Sequence, residues 1–315
     1  MSGNKKVIFI ILIFSFIKSY GQETPLNPVS NKIFSPFVFN PAMAGSKDFL
    51  SLDLIAALQN KSYTQILSGN SRLLTNRKSR VSGSGMRRFS NFGLGGAVFN
   101  DLSSEYRNLG VSLAGAYHIP LDERNLTFFS VGAAAKGIYN HYPGDTILGN
   151  PEKNTIFPNV DAGLYFYNPS FFAGVSANNI LGNPGNPDSL ASFSVPVSRQ
   201  YFFNAGFKVV LSRPLNIVLE PSVIIITDDT LALEIPDMIH PALRLYLGNF
   251  CIGSYLNDYK KIPFFFQYKY PGFYIGTFFE LPRGTPFYKK DITAEIVLGV
   301  NIAYRNIGFR RFGYW

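Results

Sequence analysis

Three histidines, one cysteine and a pair of adjacent carboxylates are the first candidates for chemistry in this chain. His118, His141 and His240 stand in separate stretches, and none has a second ligand-type residue at metal-site spacing. Residues distant in sequence can converge in a fold, so a zinc site or a Ser-His-carboxylate triad stays an alternative. The spacing itself favours structural roles for the three histidines, and we expect no enzyme.

The remaining candidates are equally weak. Cys251 lies between two apolar residues with no nearby histidine, and a single thiol cannot form an internal disulfide, so we interpret it as a packing residue. Asp228-Asp229 could hold calcium, but two carboxylates without further oxygen ligands are more typical of a solvated strand end. The stretch 93–96 is glycine-rich but lacks the Lys-Ser/Thr pair of a phosphate-binding loop. We therefore expect no cofactor and no metal.

Residues 1–21 have the build of a secretory signal peptide. Lys5 and Lys6 form a positive region, and an apolar run follows over residues 7–17. Small residues before the cut predict cleavage between Gly21 and Gln22. The apolar run is too short to span a bilayer as a helix, so it predicts export.

The charge balance argues against nucleic acid and for an apolar environment. The chain has 29 basic and 20 acidic residues, and loss of the three lysines of the signal lowers its net charge from +9 to +6. Charged residues make up 16% of the chain, against about 25% in usual soluble domains, and aromatic residues also make up 16%. The basic residues between Arg72 and Arg88 are interspersed with Ser and Gly, as in a solvated or headgroup-facing loop. Such a chain must expose apolar surface to something other than water.

The elements that must position these residues are strands. In residues 49–59 the even positions are Leu or Ala from 50 to 58, whereas the odd positions are mixed, which is the period of a strand with two different faces. Helical periodicity is scarce. Alternation of this kind predicts fourteen strands near 49–59, 63–74, 91–101, 106–118, 126–141, 157–167, 170–180, 199–211, 215–227, 238–248, 249–258, 262–270, 272–281 and 290–304.

Physical chemistry favours a transmembrane antiparallel β-barrel over a soluble sandwich. Strands of about nine to eleven residues cross a bilayer at the usual tilt, and the sheet must close so that every backbone group is paired. Tight turns alternate with longer polar connections, and Phe and Tyr crowd the strand ends as in interfacial girdles. Glycines in strand interiors, such as Gly93, Gly95 and Gly163, suit strong wall curvature or an inward surface that leaves room.

A short stretch of small residues, "FNPAMAGS" at 39–46, precedes the first strand. The residue before a proline is pushed out of the helical region, so Asn40-Pro41 predicts a turn or an extended entry. Ala42, Ala44 and Gly45 allow another backbone to come close. We expect this stretch to lie at the periplasmic end, or just inside the barrel mouth, packed against the wall.

The order of motifs resembles the PorP/SprF family of outer-membrane proteins of the type IX secretion system of Bacteroidota. The stretch Asn-Pro-Ala-Met-Ala-Gly-Ser after the signal carries the resemblance first. Further motifs then follow in the same order over most of the mature chain, at 92–101, 116–121, 131–135, 158–166 and 172–181.

The resemblance implies a protein without catalytic residues. Members assist secretion or surface attachment of cargo that carries a C-terminal sorting domain, including adhesins of gliding motility, and others link the outer membrane to the periplasmic machine. Structural or docking roles are implied for the motif residues Asn40, Pro41, Ala42, Gly45, Ser46, Gly93, Gly95, Tyr117, His118, Asp161, Gly163 and Asn178.

These observations together predict the organisation of the chain. We expect a signal peptide at 1–21, an N-terminal lead-in segment at 22–48, an outer-membrane barrel at 49–304 and a C-terminal tail at 305–315. The expected partners are the secretion machinery, the cargo sorting domain and outer-membrane lipid, with no nucleic acid. A porin-like or hydrophobic-solute channel is the alternative, because barrels with many strands can enclose a lumen.

Overall fold

Stretches that alternate between apolar and polar residues form long antiparallel strands in the computed structural model of the protein. The structure describes residues 29–47, 49–59, 62–78, 87–102, 107–122, 125–143, 152–182, 199–228, 238–256, 261–270, 272–282 and 293–303. Within this part of the chain, no helix is long and apolar enough to cross a membrane.

Fifteen strand segments form one sheet. They are β1 (Phe49–Gln59), β2 (Ser62–Lys78), β3 (Arg87–Leu102), β4 (Arg107–Asp122), β5 (Thr127–Tyr142), β6 (Lys153–Tyr167), β7 (Phe171–Asn178), β8 (Gln200–Phe207), β9 (Val209–Ser212), β10 (Ile217–Asp228), β11 (Ile239–Leu247), β12 (Phe250–Tyr255), β13 (Lys261–Tyr270), β14 (Phe273–Pro282) and β15 (Thr293–Ala303). Each pairs with its neighbours, and β15 pairs with β1, so the sheet closes into a barrel.

The segments β8 and β9 are two parts of one strand. Gly206 pairs with Ser222 of β10, and Val209 pairs with Leu219, so the register continues across the break. In this register Pro221 stands opposite the end of β8, and a proline has no N–H for the ladder. The barrel therefore has fourteen strands, which confirms the prediction of a fourteen-stranded antiparallel barrel.

The two faces of each strand differ as the alternation predicted. On β1, Ser51 and Asp53 are buried, whereas Leu52 and Leu54 are 42% and 47% exposed on the outside. The same pattern recurs on β15, where Glu295 is buried. The outer wall is thus a belt of Leu, Ile, Val and Phe side chains, and in a bilayer this belt faces hydrocarbon.

The two ends of the barrel carry different connections. At the end where β1 begins and β15 ends, most connections are short, such as 168–170, 248–249 and 271–272. Positive φ angles at Asn216, Gly248 and Gly272 allow tight hairpins there. The opposite end carries longer connections, including 143–152, 179–199 and 283–292. We call these the short-turn end and the long-connection end.

In the described residues before β1, 29–47, three short helices lie inside the barrel. They are α1 (Val29–Phe34) and the 3₁₀ helices η1 (Pro36–Val38) and η2 (Pro41–Met43). Their side chains join buried clusters formed by inward residues of the wall. Phe34 packs with Ile55, Phe99 and Val297, so the middle of the lumen is filled with side chains.

Candidate functional site

The lead-in segment, described over residues 29–47, runs along the lumen. The Ser30 backbone N–H donates to Glu295 Oε2 at 2.6 Å, close to the start of β15 at the long-connection end. Lys47 lies just before β1, at the short-turn end. The described part of the segment therefore passes from one half of the barrel to the other.

Polar contacts fix the first part of the segment. Ser35 Oγ donates to Asp53 Oδ2 at 2.9 Å and lies 2.8 Å from Ser68 Oγ. Phe34 stacks on Tyr274, with ring centroids 5.7 Å apart. Lys32 lies over the Tyr255 ring at 5.8 Å. Burial lowers the pKa of Lys32 to about 8, although Glu295 and Glu280 favour its charged form.

The next turn is capped by its own asparagine. The Asn40 side chain accepts a hydrogen bond from the Ala42 N–H at 3.1 Å, and Pro41 occupies the first position of η2, where no N–H is required. The same side chain donates to the Leu164 carbonyl on β6 at 3.1 Å. One residue thus shapes the turn and ties it to the wall.

Wall side chains hydrogen-bond three carbonyls of this stretch. Ser176 Oγ donates to the Phe39 carbonyl and Ser130 Oγ to the Ala42 carbonyl, both at 2.7 Å. His118 Nε2 lies 2.9 Å from the Ala44 carbonyl. An irregular backbone leaves its carbonyls without helix or sheet partners, and a buried carbonyl without a partner is costly. These side chains supply the missing donors.

The contacts of His118 define its tautomer. A carbonyl can only accept, so Nε2 carries the proton that goes to Ala44, and Nδ1 accepts from Tyr167 Oη at 3.0 Å. The Tyr167 hydroxyl in turn receives a hydrogen bond from Arg72, whose guanidinium lies 4.7 Å from the centroid of the Phe128 ring. His118 is therefore the inner end of a polar chain beneath the lead-in segment.

Glycines on the inner wall make room for the same stretch. A Cβ at Gly93 would come within 2.0 Å of the Ala44 carbonyl oxygen, and one at Gly132 within 2.4 Å of the Ala42 nitrogen. A Cβ at Gly163 would meet Asn40 Oδ1 at 2.2 Å. Gly95 and Gly174 are similarly crowded by Phe37 and Asn40. We call Gly93, Gly95, Gly132, Gly163 and Gly174 the glycine wall.

Gly45 is the glycine of the lead-in segment that packs against this wall. Its φ of +71° is a conformation that favours glycine, and a Cβ there would lie 2.6 Å from the Gly93 Cα. Its N–H donates to Asn70 Oδ1 at 3.3 Å. Gly45 and Gly93 thus let two backbones touch where no side chain fits.

The other motif residues are spread over the barrel. The Ser46 N–H donates to the Met43 carbonyl at 3.1 Å. Asp161 pairs with Lys136 at 2.5 Å, and Asn178 is buried at the end of β7. Tyr117 points outward, is 43% exposed and packs edge-on against Phe92. Gly21 and Gln22 lie outside the described residues.

Several anchoring residues were missed by the motif comparison. These are Ser35, Asp53, Asn70, Ser130 and Ser176. Each wall member of this set stands at an inward position of an alternating strand. The usable signal was therefore a small polar residue on the face opposite the apolar belt.

The histidines do not form one site. His118 serves the lead-in segment, His141 contacts Asn154 Oδ1 at 2.7 Å near the long-connection end, and His240 stacks on Tyr255 with its Nδ1 3.2 Å from the Leu256 carbonyl. Cys251 is buried in the aromatic cluster of the lumen. Within the described part of the chain, no group of three or more His, Cys, Asp or Glu residues could hold a metal ion.

A closed, even-stranded antiparallel barrel with an apolar belt and unequal ends defines the class of outer-membrane β-barrels. The chain matches the family described as "Type IX secretion system membrane protein PorP/SprF" over residues 27–300. It belongs to that family. The protein is thus an outer-membrane barrel component of the type IX secretion system, as the motif order predicted.

Solved structures similar to this chain are also outer-membrane barrels. The NanC porin has a TM-score of 0.38 at 8% identity, covering 80% of this chain and 98% of that chain. BamA from Haemophilus ducreyi, lacking POTRA domains 1–3, gives 0.39 at 10%, covering 80% and 70%. The translocator domain of the autotransporter NalP from Neisseria meningitidis gives 0.35 at 7%, covering 87% and 94%. No curated protein matches the chain.

Proposed function

We propose that this barrel assists the secretion or surface attachment of cargo with a C-terminal sorting domain by docking the cargo and the secretion machinery. In this proposal residues 1–21 are a cleaved signal peptide and the lead-in segment of 22–48 is part of the folded barrel. The cargo includes adhesins of gliding motility. Membership of the family supports a secretion role, and the site supports a docking role over a conducting one.

The observation that carries the proposal is the filled lumen. The lead-in segment occupies the interior from Ser30 to Gly45, and inward side chains such as Phe99 and Phe278 pack around it. A barrel filled in this way offers its two ends, rather than a pore, to other proteins. The fully buried Ala42 and Ala44 support a structural role for the segment.

The two ends of the barrel differ in the length of their connections, and this difference suggests which partner binds at which end. In outer-membrane barrels the short turns face the periplasm and the longer loops face the exterior. By that rule cargo exposed at the cell surface meets the long-connection end, where β5, β7, β10 and β14 end. The periplasmic machinery meets the short-turn end.

A deletion strain tests the proposal. We expect loss of the gene to reduce surface display of at least one sorting-domain protein, and wild-type complementation to restore it. Gly132→Ala, which forces a Cβ against the lead-in backbone, should complement poorly. Gly115→Ala is the matched control, because a Cβ there meets nothing within 4 Å. Full display of every sorting-domain protein in the deletion strain would contradict the docking role.

The channel alternative has a direct test. A porin-like barrel reconstituted in a planar bilayer would give steady conductance. We expect the wild-type protein to give none, because the lead-in segment and the buried clusters occupy the lumen. Steady conductance at the level of a water-filled pore would favour the channel.

A further inference from the structure

One carboxylate near the long-connection end is buried without a cationic partner. Asp101 lies one residue before the end of β3 and is 1% exposed. Its Oδ1 accepts hydrogen bonds from Thr64 Oγ1 at 2.7 Å and from Ser62 Oγ at 3.3 Å. Its Oδ2 is buried without a hydrogen-bond partner, and Asp101 forms no ion pair within the described part of the chain. A buried charge in this state is costly to hold.

Asp161 on the inner face of β6 shows how the same wall compensates another buried aspartate. Its Oδ2 lies 2.5 Å from Lys136 Nζ, and its Oδ1 accepts from the Asn179 N–H at 2.9 Å. A cation therefore faces one oxygen of Asp161 and a backbone donor faces the other. Asp101 has hydroxyl donors on Oδ1 alone, so the place of a cation is open at its Oδ2.

The strand register surrounds Asp101 with oxygen-bearing side chains. Thr64 of β2 stands directly opposite it on one side, and Asn108 of β4 stands opposite it on the other. The row continues through Asn140 of β5 to Thr155 of β6, and we call these five residues the oxygen row. Side chains directly opposite each other have Cβ atoms about 4.5–5.5 Å apart. The oxygens of Thr64 and Asn108 therefore flank the carboxylate.

The neighbours of Asp101 keep the capacity to bind a further group. Asn140 Nδ2 donates to Asn108 Oδ1 at 2.6 Å, which holds the Asn108 amide in place, and an amide oxygen has a second lone pair. Thr64 Oγ1 uses its proton on Asp101 and keeps its own lone pairs. Asp101 Oδ2, Asn108 Oδ1 and Thr64 Oγ1 are thus three oxygens, one of them charged, with lone pairs to offer.

The layer beneath the oxygen row is apolar. Two residues along each strand, on the same inner face, the register forms a row from Ile66, Phe99, Gly110 and Ile138. A Cβ at Gly110 would come within 1.9 Å of the Phe99 ring, and Phe99 packs in the buried cluster around Phe34. None of these four side chains can pair with a carboxylate. Compensation for Asp101 must therefore come from a bound group.

We propose that Asp101, Asn108 and Thr64 bind a hard divalent cation, of which Ca²⁺ fits best. Ca²⁺ takes carboxylate and amide oxygens together with water in a flexible shell, whereas Mg²⁺ demands a regular octahedron. The site has one carboxylate and neutral oxygens, so it contains none of the His, Cys or multiple-carboxylate spacing that sequence patterns detect. Binding is independent of cargo docking. Only the side from which the ion enters, the exterior, rests on the barrel orientation used for the proposed function.

Equilibrium dialysis of the purified full-length barrel in uncharged detergent tests the inference, with CaCl₂ as the probe and MgCl₂ for comparison at constant ionic strength. We expect saturable binding of one Ca²⁺ per barrel with a dissociation constant of about 0.1–1 mM, the range of weak extracellular calcium sites. Mg²⁺ should bind more weakly. No saturable Ca²⁺ binding, or Mg²⁺ binding as tight as that of Ca²⁺, would overturn the inference. Secretion is not measured, so this failure is distinct from failure of the proposed function.

The variant Asp101→Asn removes the charge and keeps an oxygen for the two hydroxyl donors. We expect Ca²⁺ affinity to fall about tenfold or more. Without metal its urea midpoint should equal or exceed that of the wild type, because a buried charge without a cationic partner is removed. Added Ca²⁺ should raise the midpoint of the wild type but not that of the variant. Unchanged Ca²⁺ affinity in Asp101→Asn would place the ion elsewhere and overturn the assignment.

Two further variants complete the test. Glu152→Gln is the matched control, because Glu152 is an exposed carboxylate just before β6 at the same end, and it should bind Ca²⁺ like the wild type. Asn108→Asp places a second carboxylate directly opposite the first. It should tighten Ca²⁺ binding about tenfold and lower the urea midpoint in the absence of metal, since like charges stand opposite each other. Ca²⁺ affinity that does not rise in a folded Asn108→Asp barrel would contradict the site even if Asp101→Asn failed to fold.

Discussion

The two halves of the barrel wall fill the lumen in opposite ways. From β3 to β7 the inner face carries the glycine wall and alanines such as Ala114 and Ala134, and the backbone of the lead-in segment takes the space. From β8 to β14 the inner face carries large side chains that fill the space themselves. These are Phe202, Tyr246, Tyr255, Phe265 and Phe278.

The difference explains why a chain segment and a set of aromatic residues do the same work. On the side of the glycine wall, residues 37–45 fill the lumen, and the small residues Ala42, Ala44 and Gly45 allow close backbone contact. On the other side, Phe39 of the segment stacks on Phe202 at 5.6 Å. Both halves of the wall therefore pack against the lead-in segment.

In the aromatic half, loss of a large side chain should lower the free energy of unfolding more than any other change considered below. Phe202 is 1% exposed, and Phe202→Ala leaves a cavity beside the lead-in segment. We expect the free energy of unfolding to fall by about 3–5 kcal/mol, measured by urea titration in detergent micelles. The neighbouring Phe203 points outward and is 38% exposed. Phe203→Ala should cost about 1 kcal/mol or less, because lipid and detergent chains replace the ring; equal losses would contradict the comparison.

In the glycine half, an added Cβ atom should lower the free energy of unfolding. In Gly132→Ala the new Cβ would meet the backbone of Pro41 and Ala42 within about 2.5 Å, and that backbone is held by Ser130. We expect a loss of about 1–3 kcal/mol in the same titration. Gly115→Ala should be neutral or slightly stabilising. If Gly115→Ala were destabilised and Gly132→Ala were unaffected, this prediction would be contradicted.

A double-mutant cycle separates side-chain crowding from backbone crowding. Gly163→Ala places its Cβ 2.2 Å from Asn40 Oδ1, so Asn40→Ala removes the obstacle. We expect Gly163→Ala to cost less in the Asn40→Ala background than in the wild type, with a coupling energy of about 0.5–3 kcal/mol. Gly132→Ala, which meets backbone, should not be rescued. Additive effects at Asn40 and Gly163 would show that the two residues do not touch.

The smallest effect concerns pH. The pKa of Lys32 is about 8 in the folded protein, below its ordinary value of 10.5, so between these values the unfolded chain binds more protons. Stability should therefore rise as pH increases from about 8 towards 10.5. The urea midpoint at pH 7.5 and 9.5 checks this, and Lys32→Met should remove the part of the rise that Lys32 causes. An identical rise in Lys32→Met would assign it to other groups.

Local alternation was enough to predict the strands. The bounds of β1 match residues 49–59, and thirteen further strands follow in the expected order, because a wall with lipid on one side imposes period two on the sequence. The break at Lys208 was not predicted, because Pro221, which has no N–H for the ladder, lies in the facing strand and only the register brings the two strands together.

The site was predictable in part. The glycines of β3 and β6 indicated an inward surface with free space, and "FNPAMAGS" indicated a segment that allows close approach. Their mutual contact was beyond sequence reasoning, because it joins residue 44 to residues 93 and 118 through closure of the whole barrel. The aromatic half gave no such signal, as Phe and Tyr occur on both faces of its strands.

A disulfide cross-link tests most directly whether the lead-in segment occupies the lumen. Ser35 Oγ and Ser68 Oγ are 2.8 Å apart, so Ser35→Cys/Ser68→Cys in a Cys251→Ala background should oxidise to a disulfide in isolated outer membranes. Ser35→Cys/Leu67→Cys, with the second cysteine on the outer face of β2, is the control and should not. We predict the linked peptides in a protease digest of the first variant. Failure to cross-link, with both cysteines open to a maleimide reagent, would contradict the account.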